Sequence, residues 1–332
     1  MSPQTEQLTI GVLGTAAIAR EAVVPAFAAS DHVVGAVASR DADRAAAFAA
    51  EHSIPRSYGS YEALLKDDGL DAVYVPLPNG LHAEWTTRAA DAGLHVLCEK
   101  PLAADAAEAR EVVDRCEDRG VTLMEAFMYR YHPRTERVLE LVERELDDVR
   151  TVTSTFRFPL YDRPNDVRLD PALAGGSLMD VGCYPVSLAR AVLGEPDRAY
   201  AHTNDTRGAG VDTELAGVLE YADGRSAQIA SGFDTQLVQR YRIDATNGWI
   251  EVERAFDAPD DESAELTYEI DGRRGVESFD PIDQYRVQAE RFAECVADGT
   301  APLTDGEEAV ANMRVIDALA ESAAEGDAVD VL

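Results

Sequence analysis

The first third of the chain alternates short β-branched runs with alanine-rich stretches, and few patterns restrict a fold more. "LTIGVLG", "HVVGAVAS", "DAVYVPLP", "HVLCEKP" and "VTLMEAF" read as strands. Strands separated by helices require right-handed crossovers, so this segment predicts a parallel sheet. The clearest intervening helices are "DADRAAAFAAEH" and "AADAAEAREVVDRCEDRG", each starting near an aspartate suited to capping.

After about residue 148 the pattern changes. "VRTVTSTFRF", "ELAGVLEYADGRSAQIASGF" and "RYRIDATNGWIEVER" are strand-like, and the pairs Asp223-Gly224 and Asn247-Gly248 predict hairpin turns. A helix, "SLMDVGCYPVSLARAVLG", is inserted near the start of this part, and two more, "DQYRVQAERFAECVADG" and "DGEEAVANMRVIDALAESAAEG", close the chain. The expected class is α/β: an N-terminal Rossmann doubly wound parallel sheet over 1–126, then a C-terminal α+β domain over 127–332 with a large open, mainly antiparallel sheet. The last helices are free to pack back on the first domain. "ELAGVLEYA" carries apolar residues on both alternating faces, so the open face is expected to be covered by another subunit, giving a homodimer or homotetramer.

Composition narrows the function. The 332 residues, 46% of them hydrophobic, are enough for two cores. A formal net charge of -32 repels a nucleic-acid backbone, which excludes DNA and RNA as expected partners. The acidic excess is spread through periodic segments, and lysine is almost absent, which points to a surface adapted to high salt and a salt-loving source. No run reaches the roughly 18 apolar residues of a membrane span, and "MSPQTEQLTIGVLG" lacks a basic region followed by an apolar one, so no membrane partner and a cytoplasmic location are expected. Cys98, Cys116, Cys183 and Cys295 fall at unrelated spacings, which predicts neither a disulfide framework nor a metal site.

"TIGVLGTAAIAREAV" reads as strand, glycine turn and helix, the context in which a helix N-terminus receives a pyrophosphate. Gly14, Ala16 and Ala19 occupy the three places of a G-x-G-x-x-G/A fingerprint, with Ala16 departing from the second glycine; Thr15 and Ile18 belong to the same turn. The second strand ends "VASRDADR". Where a cofactor lacking the 2′-phosphate would want a carboxylate, Ser39 and Arg40 stand instead, which favours NADP over NAD; the competing role for Ser39 to Asp41 is to cap the next helix.

The chain has 30 cationic Lys and Arg residues, of which only Lys66 and Lys100 are lysines. Lys100 lies in "CEKP" after the fifth apolar strand, and ligands of open α/β sheets sit just beyond such strand ends. Arginine cannot easily shift its pKa or act as a compact donor to a reacting oxygen, so a lysine here points to chemistry.

"GVLGTAAIA", "PLPNGLH", "CEKPLA", "MEAFMYRYHP" and "GGSLMDVGCYP", in this order and spacing, resemble the glucose-fructose oxidoreductase / inositol dehydrogenase / MocA family over nearly the whole chain. The resemblance implies a pyridine nucleotide and a sugar or polyol substrate. It places Pro78, Asn79, His82, Glu99 and Lys100 beside the nicotinamide, with a structural place at a helix start as the alternative for His82. Many members carry an Asp and a His four residues apart after the "GG" turn; this chain has Asp180 and Tyr184, closer to the branch containing NADP-dependent D-xylose 1-dehydrogenase and trans-dihydrodiol dehydrogenase. A phenol titrates near ~10 and needs a neighbouring cation to act as a base at neutral pH, a charge that Lys100 can supply. Tyr184 is then the expected base for an anomeric hydroxyl, with Asp180 orienting the sugar or the lysine. Asn165 and Arg168 are candidate sugar contacts, and Tyr129, Arg130 and His132 either line the cleft or pack at the domain crossover. The expected activity is oxidation of an aldopyranose, D-xylose above others, at C1. A dehydrogenase of a cyclic diol, ketose or inositol and a non-catalytic nucleotide-sensing regulator remain the alternatives.

Overall fold

The computed structural model describes residues 7–161 and 163–331. Contacts divide the chain into two compact units, Met1–Met128 with Asp283–Val310 and Tyr129–Ile282 with Ala311–Leu332.

The first unit is built on six strands: β1 (Thr9–Leu13), β2 (Val33–Ala38), β3 (Arg56–Tyr58), β4 (Ala72–Val75), β5 (His95–Cys98) and β6 (Leu123–Glu125). They pair in the order β3-β2-β1-β4-β5-β6, every pair parallel. The order reverses direction between β1 and β4, which opens a crevice at their carboxyl ends. Both faces are covered, and "AVYV" of β4 is buried at all four positions. The predicted caps are present: Asp41 accepts from the Asp43 and Arg44 amides, Asp105 from the Glu108 amide. Gly120, at φ 64°, ends the helix that Asp105 begins.

The second unit holds β7 (Val149–Arg157), β8 (Arg198–Asn204), β9 (Glu214–Glu220), β10 (Ser226–Gly232), β11 (Val238–Ala245), β12 (Gly248–Glu253), β13 (Ala264–Ile270), β14 (Arg273–Phe279) and the short β15 (Val329–Asp330). Their order is β14-β13-β12-β11-β7-β10-β9-β8-β15. All neighbours are antiparallel except the central pair β7–β10.

Both hairpins form, but one turn differs from expectation. Ala245 pairs with Gly248, so the β11–β12 turn is Thr246–Asn247, one residue earlier than the Asn-Gly pair suggested. Asn247 is held by its side chain, which accepts from the Asp147 amide and donates to the Glu145 carbonyl. Gly248 is needed for another reason: a Cβ there would lie 2.0 Å from the Glu269 carbonyl oxygen on β13. The helix after the double glycine also opens differently, as one π turn (Leu178–Gly182) before the α-helix Cys183–Leu193. The four cysteines are free, and Cys98, Cys116 and Cys183 are buried.

Candidate active site

At the crevice of the first sheet, β1 runs into Gly14 at φ 123°, whose amide donates to the Ala38 carbonyl at 2.9 Å. The glycine turn is thereby fastened to the end of β2. Thr15, Ala16 and Ile18 are half-buried around it, and the Ala16 carbonyl accepts the Arg20 amide as the helix begins.

At the end of β2, Ser39 is buried and its Oγ accepts the Asp41 amide at 3.2 Å. Asp41 caps the next helix, its Oδ1 accepting the Asp43 and Arg44 amides. Arg40 is exposed and makes no ion pair among the described residues. The helix cap of this segment is therefore made by Asp41, with Ser39 and Arg40 standing just before it.

Pro78 leads into the 3-10 turn Asn79–Leu81 and the helix His82–Asp91. His82 is fully buried, with Nδ1 2.7 Å from the Pro101 carbonyl and Nε2 2.6 Å from the Leu77 carbonyl. Burial pushes its pKa down to about 4; the two carbonyls oppose this, and Lys100 adds to it. At neutral pH the ring is uncharged and has one N–H for two acceptors. Glu99 Oε1 accepts the Tyr74 hydroxyl at 2.6 Å, and the Leu102 amide donates to Glu125 Oε1 at 2.8 Å. Lys100 lies between these points, half-buried. Neither Tyr74 nor Glu125 is marked by any motif, since a tyrosine within an apolar strand and an acid at a strand end have ordinary structural uses.

In the second unit the double-glycine turn has a steric origin. A Cβ on Gly175 would come 2.5 Å from the Arg168 carbonyl, and one on Gly176, at φ 120°, would come 2.3 Å from Asp212 Oδ1. Asp212 Oδ2 accepts from the Ser177 hydroxyl at 2.6 Å and the Leu178 amide at 2.9 Å, so it caps the turn that carries Asp180. Burial raises the Asp212 pKa, and these donors offset part of that. Asp212 sits in a connection between strands, without periodicity to mark it.

Arg168 Nε donates to Asp180 Oδ2 at 2.8 Å, and Arg168 Nη1 to Asp166 Oδ1 at 3.2 Å. The Asp180 charge, foremost, holds the guanidinium protonated far above any working pH. Arg168 and Asp180 are thus brought together, whereas Asn165 is exposed in the preceding turn. Tyr184 is buried against Tyr129, Phe156 and Phe256, with ring centroids 5.7, 5.3 and 5.4 Å away. The Tyr129 hydroxyl donates to Ser187 Oγ at 2.9 Å, and Arg130 Nη1 reaches the same oxygen at 3.4 Å. His132 caps the helix Pro133–Arg144 by accepting the Arg134 amide through Nδ1. Burial, then Arg134, lowers its pKa to about 4. Tyr129 and His132 therefore serve packing and capping.

Each of the two units has counterparts in known proteins. Residues 8–127 match the model of an oxidoreductase family with an NAD-binding Rossmann fold, and residues 136–251 match the GFO/IDH/MocA C-terminal domain. D-xylose 1-dehydrogenase (NADP(+)) 2 of Haloferax volcanii is 58% identical over 98% of this chain and 100% of its own length. A crystal structure of a 3-ketoreductase from Actinomadura kijaniata, in complex with NADP and TDP-benzene, is similar with a TM-score of 0.90 at 31% identity, covering 95% of this chain and 98% of that one. An aldose-aldose oxidoreductase from Caulobacter crescentus, complexed with glycerol, is similar with a TM-score of 0.90 at 29% identity, covering 98% and 99%. Matches in both halves, and one relative aligned from end to end, identify this chain as a member of the GFO/IDH/MocA oxidoreductase family.

Proposed function

We propose that the protein is an NADP-dependent sugar dehydrogenase that oxidises the C1 hydroxyl of an aldopyranose, D-xylose in the first instance, to the lactone. The full-length 58% identity to a D-xylose 1-dehydrogenase carries this reading. The residues present fit the cofactor. The turn Gly14, Thr15, Ala16 and Ile18 suits the pyrophosphate, and Ser39 with Arg40 suits the 2′-phosphate by a hydroxyl and a guanidinium, the adjacent Asp41 serving as a helix cap through Oδ1. The segments holding Pro78, Asn79, His82, Glu99 and Lys100 form the nicotinamide end. NADP, when bound, accepts the hydride at its nicotinamide ring.

Tyr184 takes the proton of the C1 hydroxyl as the C1–H bond breaks and its hydrogen leaves as hydride, and Lys100 provides the positive charge that lets a phenol act as a base near neutral pH. Asp180 and Arg168, paired, present a carboxylate and a guanidinium to the sugar hydroxyls, with Asn165 adding an amide. The test is a panel of pentoses, hexoses, inositols and cyclic diols with NADP and NAD, read by absorbance of the reduced cofactor. D-xylose with NADP should give the highest kcat/KM; a cyclic diol or inositol as best substrate, or no turnover at all, overturns the reading.

The same proposal includes assembly through the nine-stranded sheet. On β9, Leu215 and Leu219 are buried, while Ala216 and Val218 lie on the other face, where Tyr200 is 42% and Val276 59% exposed. A second copy would remove this surface from water. A monodisperse monomer by light scattering in molar KCl contradicts it.

A further inference from the structure

Lys100 belongs to a four-residue strand exit, Glu99 to Leu102, that is fastened more tightly than a β-strand end requires. The Glu99 side chain accepts the hydroxyl of Tyr74, which stands on the neighbouring strand β4. The Pro101 carbonyl lies 2.7 Å from His82, on the helix that follows β4. The Leu102 amide donates to Glu125, at the end of β6 on the other side. Tyr74 and His82 are fully buried and Glu125 is 1% exposed. Buried polar side chains cost free energy unless they are paired, and apolar residues would fill such space at lower cost. Three of them converge on the residues flanking the one lysine at this end of the sheet. His82 also faces the Leu77 carbonyl, which links the β4 exit carrying Pro78 and Asn79 to the β5 exit carrying Lys100.

We infer that Tyr74, His82 and Glu125 are positioning residues for Lys100, pinning the peptide on both sides of it so that its ammonium has one direction available. Tyr74 acts through Glu99, His82 through the Pro101 carbonyl, and Glu125 through the Leu102 amide; none of them exchanges a proton with the sugar. A reacting group displaced by an ångström loses much of its rate advantage, so these anchors set kcat while the remainder of the cofactor turn sets binding. The inference rests on the proposed catalytic role of Lys100.

The experiment is a double-mutant comparison on the full-length protein with D-xylose and NADP. Tyr74→Phe removes a single hydroxyl, and His82→Gln keeps one donor for one of the two carbonyls. Each is made in the parent and in Lys100→Ala, and kcat, the Kd for NADP and the melting temperature are measured. The expected result is a loss in kcat of roughly 10- to 100-fold for each variant in the parent, with the Kd for NADP within about twofold for Tyr74→Phe, and little or no further loss in kcat in the Lys100→Ala background. Equal losses in both backgrounds would make the anchors merely structural and overturn the inference. So would a parental kcat in Tyr74→Phe, a change too small to prevent folding, while Lys100→Ala is inactive. If Lys100→Ala itself keeps parental kcat, the catalytic reading of the lysine fails first and the inference falls with it.

Discussion

Arg40 and Asp41 are neighbours in one strand-end turn, and only the second has its task in view. Asp41 caps a helix, and Arg40 is left exposed beside the Ser39 hydroxyl. The adjacent residues were legible as a phosphate site or as a cap, and the fold shows the cap to be Asp41, through Oδ1. Arg40→Asp should lower kcat/KM with NADP by roughly 10- to 100-fold, the worth of a charge-assisted contact, while changing the NAD value little or raising it. Initial rates with each cofactor at fixed sugar decide this. His132 makes a different kind of statement. Its folded-state pKa of about 4 lies below the ordinary 6.5, so the unfolded chain binds more protons between those values. Stability is then highest above pH 6.5 and falls as the pH drops toward 4, by on the order of 2–3 kcal/mol for such a shift. His132→Asn keeps a capping side chain without the titration, so melting temperatures recorded from pH 7 to pH 4 should decline less steeply than in the parent.

At the scale of elements, the strands of the first sheet and the hairpins of the second could be read from period-two patterns, because those patterns report which face is buried. Steric and long-range partners leave no such trace. Gly248 looked like turn chemistry, yet its glycine is demanded by the Glu269 carbonyl on the next strand. The double glycine before Asp180 has two steric causes that the motif does not announce, the Arg168 carbonyl against Gly175 and Asp212, from a later connection, against Gly176. Likewise nothing in "SLMDVGCY" announces a π turn, since helical periodicity does not distinguish one wide turn from a narrow one. Gly248→Ala should force β12 and β13 apart and cost on the order of 1–3 kcal/mol. Thermal unfolding would register this as a lower melting temperature with kcat/KM at low temperature close to that of the parent.

For the whole molecule, charge and topology set the behaviour. A formal charge of -32 makes carboxylate repulsion a general term, and many of the arginines are already paired with acids at the surface, such as Arg88 with Glu62 and Glu84, or Arg242 with Asp244 and Glu251. Exposed pairs of this kind contribute little individually, so relief must come from screening. Raising KCl from dilute buffer to molar levels should raise both melting temperature and activity; an unchanged melting temperature would remove the case for a salt-adapted surface. The parallel contact between β7 and β10 bears on how this molecule is assembled in time. Antiparallel neighbours can pair as soon as a tight turn is made, but these two central strands enclose residues 158–225, the stretch containing Arg168, Asp180, Tyr184 and Asp212. Closing so long a loop is slow, and the groups it carries cannot be ordered before it closes. Amide protons of β7 and β10 should therefore exchange with deuterium only through the largest opening the second unit undergoes, and catalytic competence should return during refolding in step with their protection.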